Sequence, residues 1–249
     1  MNRILFEPGE IVDGRVTFGG VRAEHVLGVL HGEVGQTLKT GEVNGLVGTS
    51  EIVAIEPSVP TVTVAVRHDL PSLAPWVDLV LAPPRPRVMK RLLPQLAALG
   101  VGRLVLVGAQ KVEKDFWGAT LLKEENWRPL FIDGLMQAGT STLPTLETRR
   151  NFRRFLDEEL DALWPTGQRL VAHPYGADMA PAPSAPAAGS RLVLAIGPEG
   201  GWTDAEVAML EAHGFRRRSL GPRILRTDTA TVALLARLMP ADEGAFPNL

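Results

Sequence analysis

The chain has 249 residues, of which 45% are hydrophobic, with a mean hydropathy of +0.07 and a formal net charge of −2. That make-up fits a globular protein of one large or two smaller domains, and no apolar run approaches the length of a bilayer span. Cysteine is absent and the five histidines stand in no metal-binding spacing, which excludes disulfides, thiolate zinc sites and cysteine nucleophiles and leaves no expected metal site.

Met1-Asn2-Arg3-Ile4-Leu5 is not a signal peptide, so a cytoplasmic protein without a membrane partner is expected. Residues 1–70 read as strands. The stretches 52–55 and 61–66 are rich in β-branched residues, and glycines at 19, 20, 32, 35, 41 and 45 mark turns. Residues 25–30 read as a short helix among them, and the spacing predicts a small β-barrel. Acids outnumber bases in this segment. Residues 68–75, with Pro71 and Pro75, have the composition of a linker.

From Val77 the pattern changes to alternating strands and helices: a buried strand over 77–82, a helix over 88–99 ended by Gly100, and a strand over 104–107. Helical regions follow over 121–138 and 152–163, with strands at 169–172 and 191–196. This alternation predicts an α/β domain around a parallel sheet over 76–242. Residues 175–190, dominated by alanine and proline, read as a surface loop. Two basic clusters stand out, Arg85/Arg87/Lys90/Arg91 and Arg149/Arg150/Arg153/Arg154; each fits a solvated helix face or a phosphate-binding surface. Ala82-Pro83-Pro84-Arg85 follows the first strand of this domain, where a Rossmann fold needs G-x-G-x-x-G, so a Rossmann dinucleotide site is not expected.

The glycine-rich loops lie instead near the C-terminus. Leu194-Ala195-Ile196 runs into Gly197-Pro198-Glu199-Gly200-Gly201, and Thr203 and Glu206 then stand in capping-box relation, opening a helix. Leu220-Gly221-Pro222-Arg223-Ile224-Leu225-Arg226 repeats the arrangement and leads into a helix that stops at Pro240, with Thr227, Asp228 and Thr229 as N-cap candidates. Two strand–loop–helix units of this kind build a pocket from backbone amides and carbonyls, which glycine lets a ligand approach closely. His173-Pro174 ends the strand over 169–172.

This pair of loops, with Thr227-Asp228-Thr229-Ala230 after the second, resembles the C-terminal signature of the ribosomal small subunit RNA methyltransferase E family of SPOUT methyltransferases. The resemblance is closest over 191–238 and collinear elsewhere. It implies a parallel sheet tied in a trefoil knot, an N-terminal PUA-like barrel that contacts RNA, and a homodimer formed through the knot helices. The implied cofactor is S-adenosylmethionine and the implied reaction is methylation of uridine N3 in ribosomal RNA of the small subunit. The cofactor pocket it implies comprises His173, Ile196, Gly197, Pro198, Glu199, Gly200, Gly201, Leu220, Gly221, Pro222, Ile224, Leu225 and Thr229.

Methyl transfer needs the acceptor close to the methyl and in line with it, and N3 of uridine must also lose a proton. Arg226, at the mouth of the last helix, is the candidate catalytic residue, placed to stabilise the developing anion. The alternative is a surface arginine paired with Asp228 or Glu199. Departures from the family pattern lie in the middle of the chain. The helix that usually ends E-L-G-V here ends Ala98-Leu99-Gly100-Val101, the usual E-Q-S-x-R reads Met136-Gln137-Ala138-Gly139-Thr140, and His31 follows Leu30 where arginine is common. A non-catalytic RNA- or ribosome-binding protein of the same architecture is the rival reading.

Overall fold

The computed structural model describes residues 3–175 and 191–240, in two units: residues 1–74 together with 131–143, and residues 75–130 together with 144–249. Most of the alanine- and proline-rich loop expected over 175–190 lies outside the described residues.

In the first unit, β1 (Ile4–Phe6), β2 (Arg15–Phe18), β3 (Thr37–Glu42), β4 (Val47–Glu56) and β5 (Thr61–Leu70) pair in the order β1-β3-β4-β5-β2. The β1–β3 pair is parallel and the others are antiparallel. Side chains alternate as a pleated strand requires: Val16 and Phe18 are buried, Arg15 and Thr17 exposed. The inward set, including Phe6, Phe18, Val26, Ile52, Val62 and Val64, forms the core. The helical stretch begins earlier than expected, with α1 (Gly20–Glu24) passing into a π-turn over His25–Val29.

The segment expected to open a linker at His68 is strand through Leu70. Ladder pairing of His68 with Gly48 outweighs the local composition, and His68 Nε2 lies 2.8 Å from Thr40 Oγ1. Burial, with the Arg3 charge nearby, lowers the His68 pKa. Arg3 is buried, and its guanidinium donates to the carbonyls of Thr40 (2.6 Å), Gly48 (2.9 Å) and Gly139 (2.9 Å). The segment 131–143 is further bound by Ser141 Oγ donating to Gly45 O (2.7 Å) and Leu143 N donating to Asn44 Oδ1 (2.8 Å).

The second unit contains β6 (Val77–Leu81), α2 (Pro86–Ala98), β7 (Val101–Val107), β8 (Thr145–Arg149), α4 (Phe152–Glu158), α5 (Leu160–Leu163), β9 (Arg169–Ala172), β10 (Leu192–Ile196), α6 (Asp204–Ala212), β11 (Arg216–Arg218) and α7 (Thr227–Leu238). Helix α3 (Glu124–Ala138) begins in this unit and ends in the first. Six parallel strands follow the order β11-β9-β10-β6-β7-β8. Strands β6 and β10 are buried along their whole length, as expected of central parallel strands covered on both faces.

Two strands were not expected. β8 (Thr-Leu-Glu-Thr-Arg) and β11 (Arg-Arg-Arg) carry charge rather than apolar runs because they are the two edges of the sheet. The helical region expected over 121–138 starts with 3₁₀ turns, Lys114–Gly118 and Thr120–Leu122, before α3 opens at Glu124. The helix expected over 152–163 breaks at Glu159, whose φ of −120° leaves the helical region and whose carboxylate accepts from Arg149 Nε at 2.5 Å.

Asp78 of β6 is a buried carboxylate, 2% exposed, accepting from Trp164 Nε1 (2.7 Å) and Arg191 Nη1 (2.8 Å). Burial outweighs these donors and raises its pKa.

Candidate active site

The two glycine loops meet at the C-terminal ends of β9, β10 and β11, the end at which open parallel sheets bind ligands. They enclose a pocket of about 410 Å³ lined by His173, Ile196, Gly197, Pro198, Glu199, Gly200, Gly201, Leu220, Gly221, Ile224 and Leu225. Pro222, Thr229 and Arg226 are not part of the lining; all three are exposed.

Each loop is fixed locally. In the first, Gly201 N donates to Pro198 O (2.8 Å), closing a turn, and Thr203 then caps α6. The capping box is complete: Glu206 N donates to Thr203 Oγ1 (3.3 Å), while Thr203 N (2.8 Å) and Oγ1 (2.9 Å) donate to Glu206 Oε2. Glu206 is 5% exposed and its other carboxylate oxygen accepts from Gln110 N (2.7 Å), so the box also anchors the chain after β7. In the second loop, Gly221 adopts φ +114°, a conformation side chains resist, and its N–H donates to Ser219 Oγ (3.0 Å). Ser219 Oγ lies 3.3 Å from Pro174 O, joining this loop to the strand end after His173. His173 Nδ1 donates to Tyr175 O (2.8 Å) and its main-chain N to Arg218 O (3.0 Å).

One hydroxyl joins the two loops. Thr227 Oγ1 donates to Gly197 O (3.3 Å) from a buried position, and Thr231 Oγ1 donates back to Thr227 O (2.6 Å). Thr227 is therefore a cross-link and not the N-cap. The N-cap is Arg226, without a side-chain cap bond, and Asp228 accepts from the neighbouring Thr229 N (2.9 Å). Neither alternative partner expected for Arg226 is taken up: Asp228 faces Arg91 (3.7 Å) and Glu199 faces Arg85 (3.7 Å), which also pairs with Glu113 (2.9 Å). Among the described residues Arg226 forms no ion pair, leaving its charge available.

Sequence reasoning missed several lining residues, notably Trp202, Ser219, Thr227 and Leu234. Trp202 is 6% exposed, stacks on Phe152 (centroids 5.2 Å apart, planes 16° apart) and has a buried Nε1 without a hydrogen-bond partner among the described residues. An aromatic residue directly after the double glycine was the available signal. Among the described residues no group of carboxylates and histidines could hold a metal ion.

The pocket fits a nucleoside-sized organic cofactor. Its volume lies in the usual range of about 300–1,000 Å³ for small-molecule sites, its walls are apolar at Leu220, Ile224, Leu225 and Leu234, and backbone polar groups of two glycine loops converge on it.

Residues 72–239 match the family model of the RNA methyltransferase domain. Over 240 residues the chain is 33% identical to ribosomal RNA small subunit methyltransferase E of Treponema pallidum, covering 95% of this chain and 90% of that protein. A Legionella pneumophila methyltransferase solved with bound SAM superposes with TM-score 0.71 at 26% identity, covering 95% of this chain and 96% of the other. Ribosomal RNA small subunit methyltransferase E of Neisseria gonorrhoeae, solved with S-adenosyl methionine, shares the fold with TM-score 0.72 at 23% identity, covering 95% of each chain. Matched along most of its length by that domain and by a relative of this identity, the chain belongs to the RNA methyltransferase family that includes ribosomal RNA small subunit methyltransferase E.

Proposed function

We propose that the protein transfers the methyl group of S-adenosylmethionine to N3 of a uridine in small-subunit ribosomal RNA. The observation that carries this reading is the convergence of the loops 196–201 and 220–225 on one pocket at the C-terminal ends of a parallel sheet, in a chain of this family. The cofactor, when bound, supplies a methyl on a sulfonium, already a good leaving group. The protein's task is then to hold the acceptor, exclude water and favour the deprotonated imide. The 196–201 loop, His173, Leu220, Gly221, Ile224 and Leu225 hold the cofactor, with Pro222 and Thr229 supporting the second loop. Arg226 offers a charge without an intramolecular ion pair among the described residues, at the head of α7, to the anionic pyrimidine edge.

The reading extends to architecture. The expected domain 76–242, less the segment 131–143 that belongs to the first unit, is a SPOUT-type domain knotted as a trefoil, and residues 1–70 with that segment are a PUA-like barrel that contacts RNA. The protein acts in the cytoplasm, where ribosomes are built. A homodimer forms through α7 and the loop before it. Supporting this, Ile224 is 75%, Leu225 37% and Met239 42% exposed, although Leu234, Leu235 and Leu238 are buried within the chain. Light scattering at micromolar concentration is expected to give twice the chain mass; a monomer refutes the dimer.

The test of function is incubation with methyl-labelled S-adenosylmethionine and small-subunit ribosomal RNA, free or in ribosomal particles, followed by mapping of the labelled base. Label on one uridine is expected. Cofactor binding without transfer to either substrate would overturn the enzymatic reading in favour of a binding protein.

A further inference from the structure

The four arginines around the β8–α4 junction are not equivalent. Arg149 is spent on carboxylates, donating to Glu159 (2.5 Å) and Glu147 (2.8 Å), and Arg154 is paired with Glu158 (2.7 Å) one turn along α4. Arg150 and Arg153 have no carboxylate partner among the described residues, and both are exposed. Arg150 is held in place: its Nη2 donates to Trp117 O (3.0 Å) and its guanidinium lies 5.6 Å from the centre of the Trp117 ring.

Arg150 and Arg153 both line an open cleft of about 560 Å³, together with Gln110 and Asn151. Its one carboxylate, Glu206, already accepts three hydrogen bonds, from Gln110 N, Thr203 N and Thr203 Oγ1, which offset its charge. Phe152 lines this cleft, Trp202 lines the candidate active site, and the two rings are stacked. The stacked rings thus join a residue that lines the cleft to one that lines the candidate active site.

We propose that this cleft docks the phosphates of the RNA strand beside the target nucleotide, with Arg150 and Arg153 as the phosphate-binding residues. Guanidinium forks match phosphate oxygens in pairs, and the stacking on Trp117 leaves Arg150 little freedom to lose on binding. A chain with net charge −2 has no general basic surface for RNA, so local uncompensated charge beside the site does the gripping. The proposal rests on the reading of the substrate as RNA.

The experiment titrates a small-subunit ribosomal RNA fragment into the full-length protein at several salt concentrations, for the natural chain, Arg153→Gln, Arg150→Gln and Arg154→Gln. Arg153→Gln and Arg150→Gln are each expected to weaken binding severalfold and to flatten the plot of log K against log salt by about 0.7–0.9, one phosphate contact's worth. Arg154→Gln, already neutralised by Glu158, is expected to do neither, and affinity for S-adenosylmethionine should stay unchanged in all three. Arg153 is exposed and its side chain forms no hydrogen bond or ion pair among the described residues, so its variant remains informative even if loss of the Trp117 contact disturbs Arg150→Gln. Unchanged affinity and slope for Arg153→Gln, or an equal loss for Arg154→Gln, overturns the cleft. A natural chain that methylates RNA while the variants behave normally refutes the cleft alone. One that binds RNA through these arginines yet transfers no methyl refutes only the catalytic reading. No RNA binding at all refutes both.

Discussion

Gly197 and Gly200 stand three residues apart in one loop, and the structure assigns them opposite tolerance to a single methyl group. A Cβ on Gly197 would lie 2.9 Å from the main-chain N of Trp202 and 3.1–3.2 Å from its ring. That ring cannot recede, being 6% exposed and stacked on Phe152. A Cβ on Gly200 would meet Lys111 alone, Cδ at 2.9 Å with Cβ and Cγ at 3.5 and 3.7 Å; that side chain is exposed, and moving it aside costs one exposed hydrogen bond, from Lys111 Nζ to Gly200 O (2.8 Å). Overpacking of a fixed environment costs about 1–3 kcal/mol, and a tolerated surface change about 0.5 kcal/mol or less. The Gly197 carbonyl also accepts the Thr227 bond between the loops, so displacement there enters the pocket directly. Gly197→Ala is therefore expected to weaken S-adenosylmethionine binding about tenfold, the equivalent of about 1.4 kcal/mol, and to lower the melting temperature. Gly200→Ala, whose Cβ displaces an exposed side chain and not a packed ring, should lose less cofactor affinity than Gly197→Ala and lower the melting temperature less. Calorimetric titration well below the melting point, paired with thermal denaturation, measures both. Equal cofactor affinity in the two variants, or a larger loss at Gly200, would refute the reasoning.

Arg226→Ala should lower single-turnover methylation about a hundredfold, roughly 3 kcal/mol of transition-state stabilisation, with cofactor affinity and stability little changed, and Arg226→Lys should recover only part; near-normal turnover in Arg226→Ala discards the catalytic role. Asp78, whose pKa burial raises from 3.8, holds its proton more tightly in the folded than the unfolded chain. Its contribution to stability is thus fullest below about pH 3.8 and is lost as pH rises through the folded value. Asp78→Asn should flatten the pH dependence of the urea midpoint in that window, and parallel curves for the two proteins would contradict this. Thr203→Ala removes the cap of α6 and one donor to buried Glu206, and should cost about 1–2 kcal/mol in urea denaturation, with Thr203→Ser restoring most of it. A loss too small to resolve would mean the box contributes little.

What could be read from the chain was what neighbouring residues decide. The helix start at Thr203 and Glu206 was legible because both partners lie within one turn, and β6 and β10 because strands buried on both faces announce themselves as apolar runs. The edge strands β8 and β11 were not legible: their pairing is settled by the neighbouring strand, and their own residues are charged. Thr227 invited a capping role from its position, whereas its hydroxyl reaches Gly197, thirty residues earlier in the chain. Most of the pocket lining followed from the two glycine loops, and Trp202 was within reach as the aromatic residue directly after the double glycine, but Ser219 owes its place to its contact with Pro174, which no spacing encodes. The basic cluster 149–154 reads in sequence as four equivalent charges, and only the ion pairs with Glu147, Glu158 and Glu159 set Arg149 and Arg154 apart from Arg150 and Arg153.

The first unit draws its last segment, 131–143, from the end of a helix that begins in the second. That arrangement bears on how such a protein can be rearranged by gene fusion or dissection. A fragment ending at Ala74 would keep all five strands yet strip Arg3 of its Gly139 acceptor and leave the Asn44–Gly45 turn without Ser141 and Leu143. The amino-terminal sheet is therefore not a cassette that recombination could move by a single crossover; it travels with the middle of the chain or not intact. Insertions between the two units meet the same barrier at 130–144, where the polypeptide crosses from one unit to the other and back within fourteen residues.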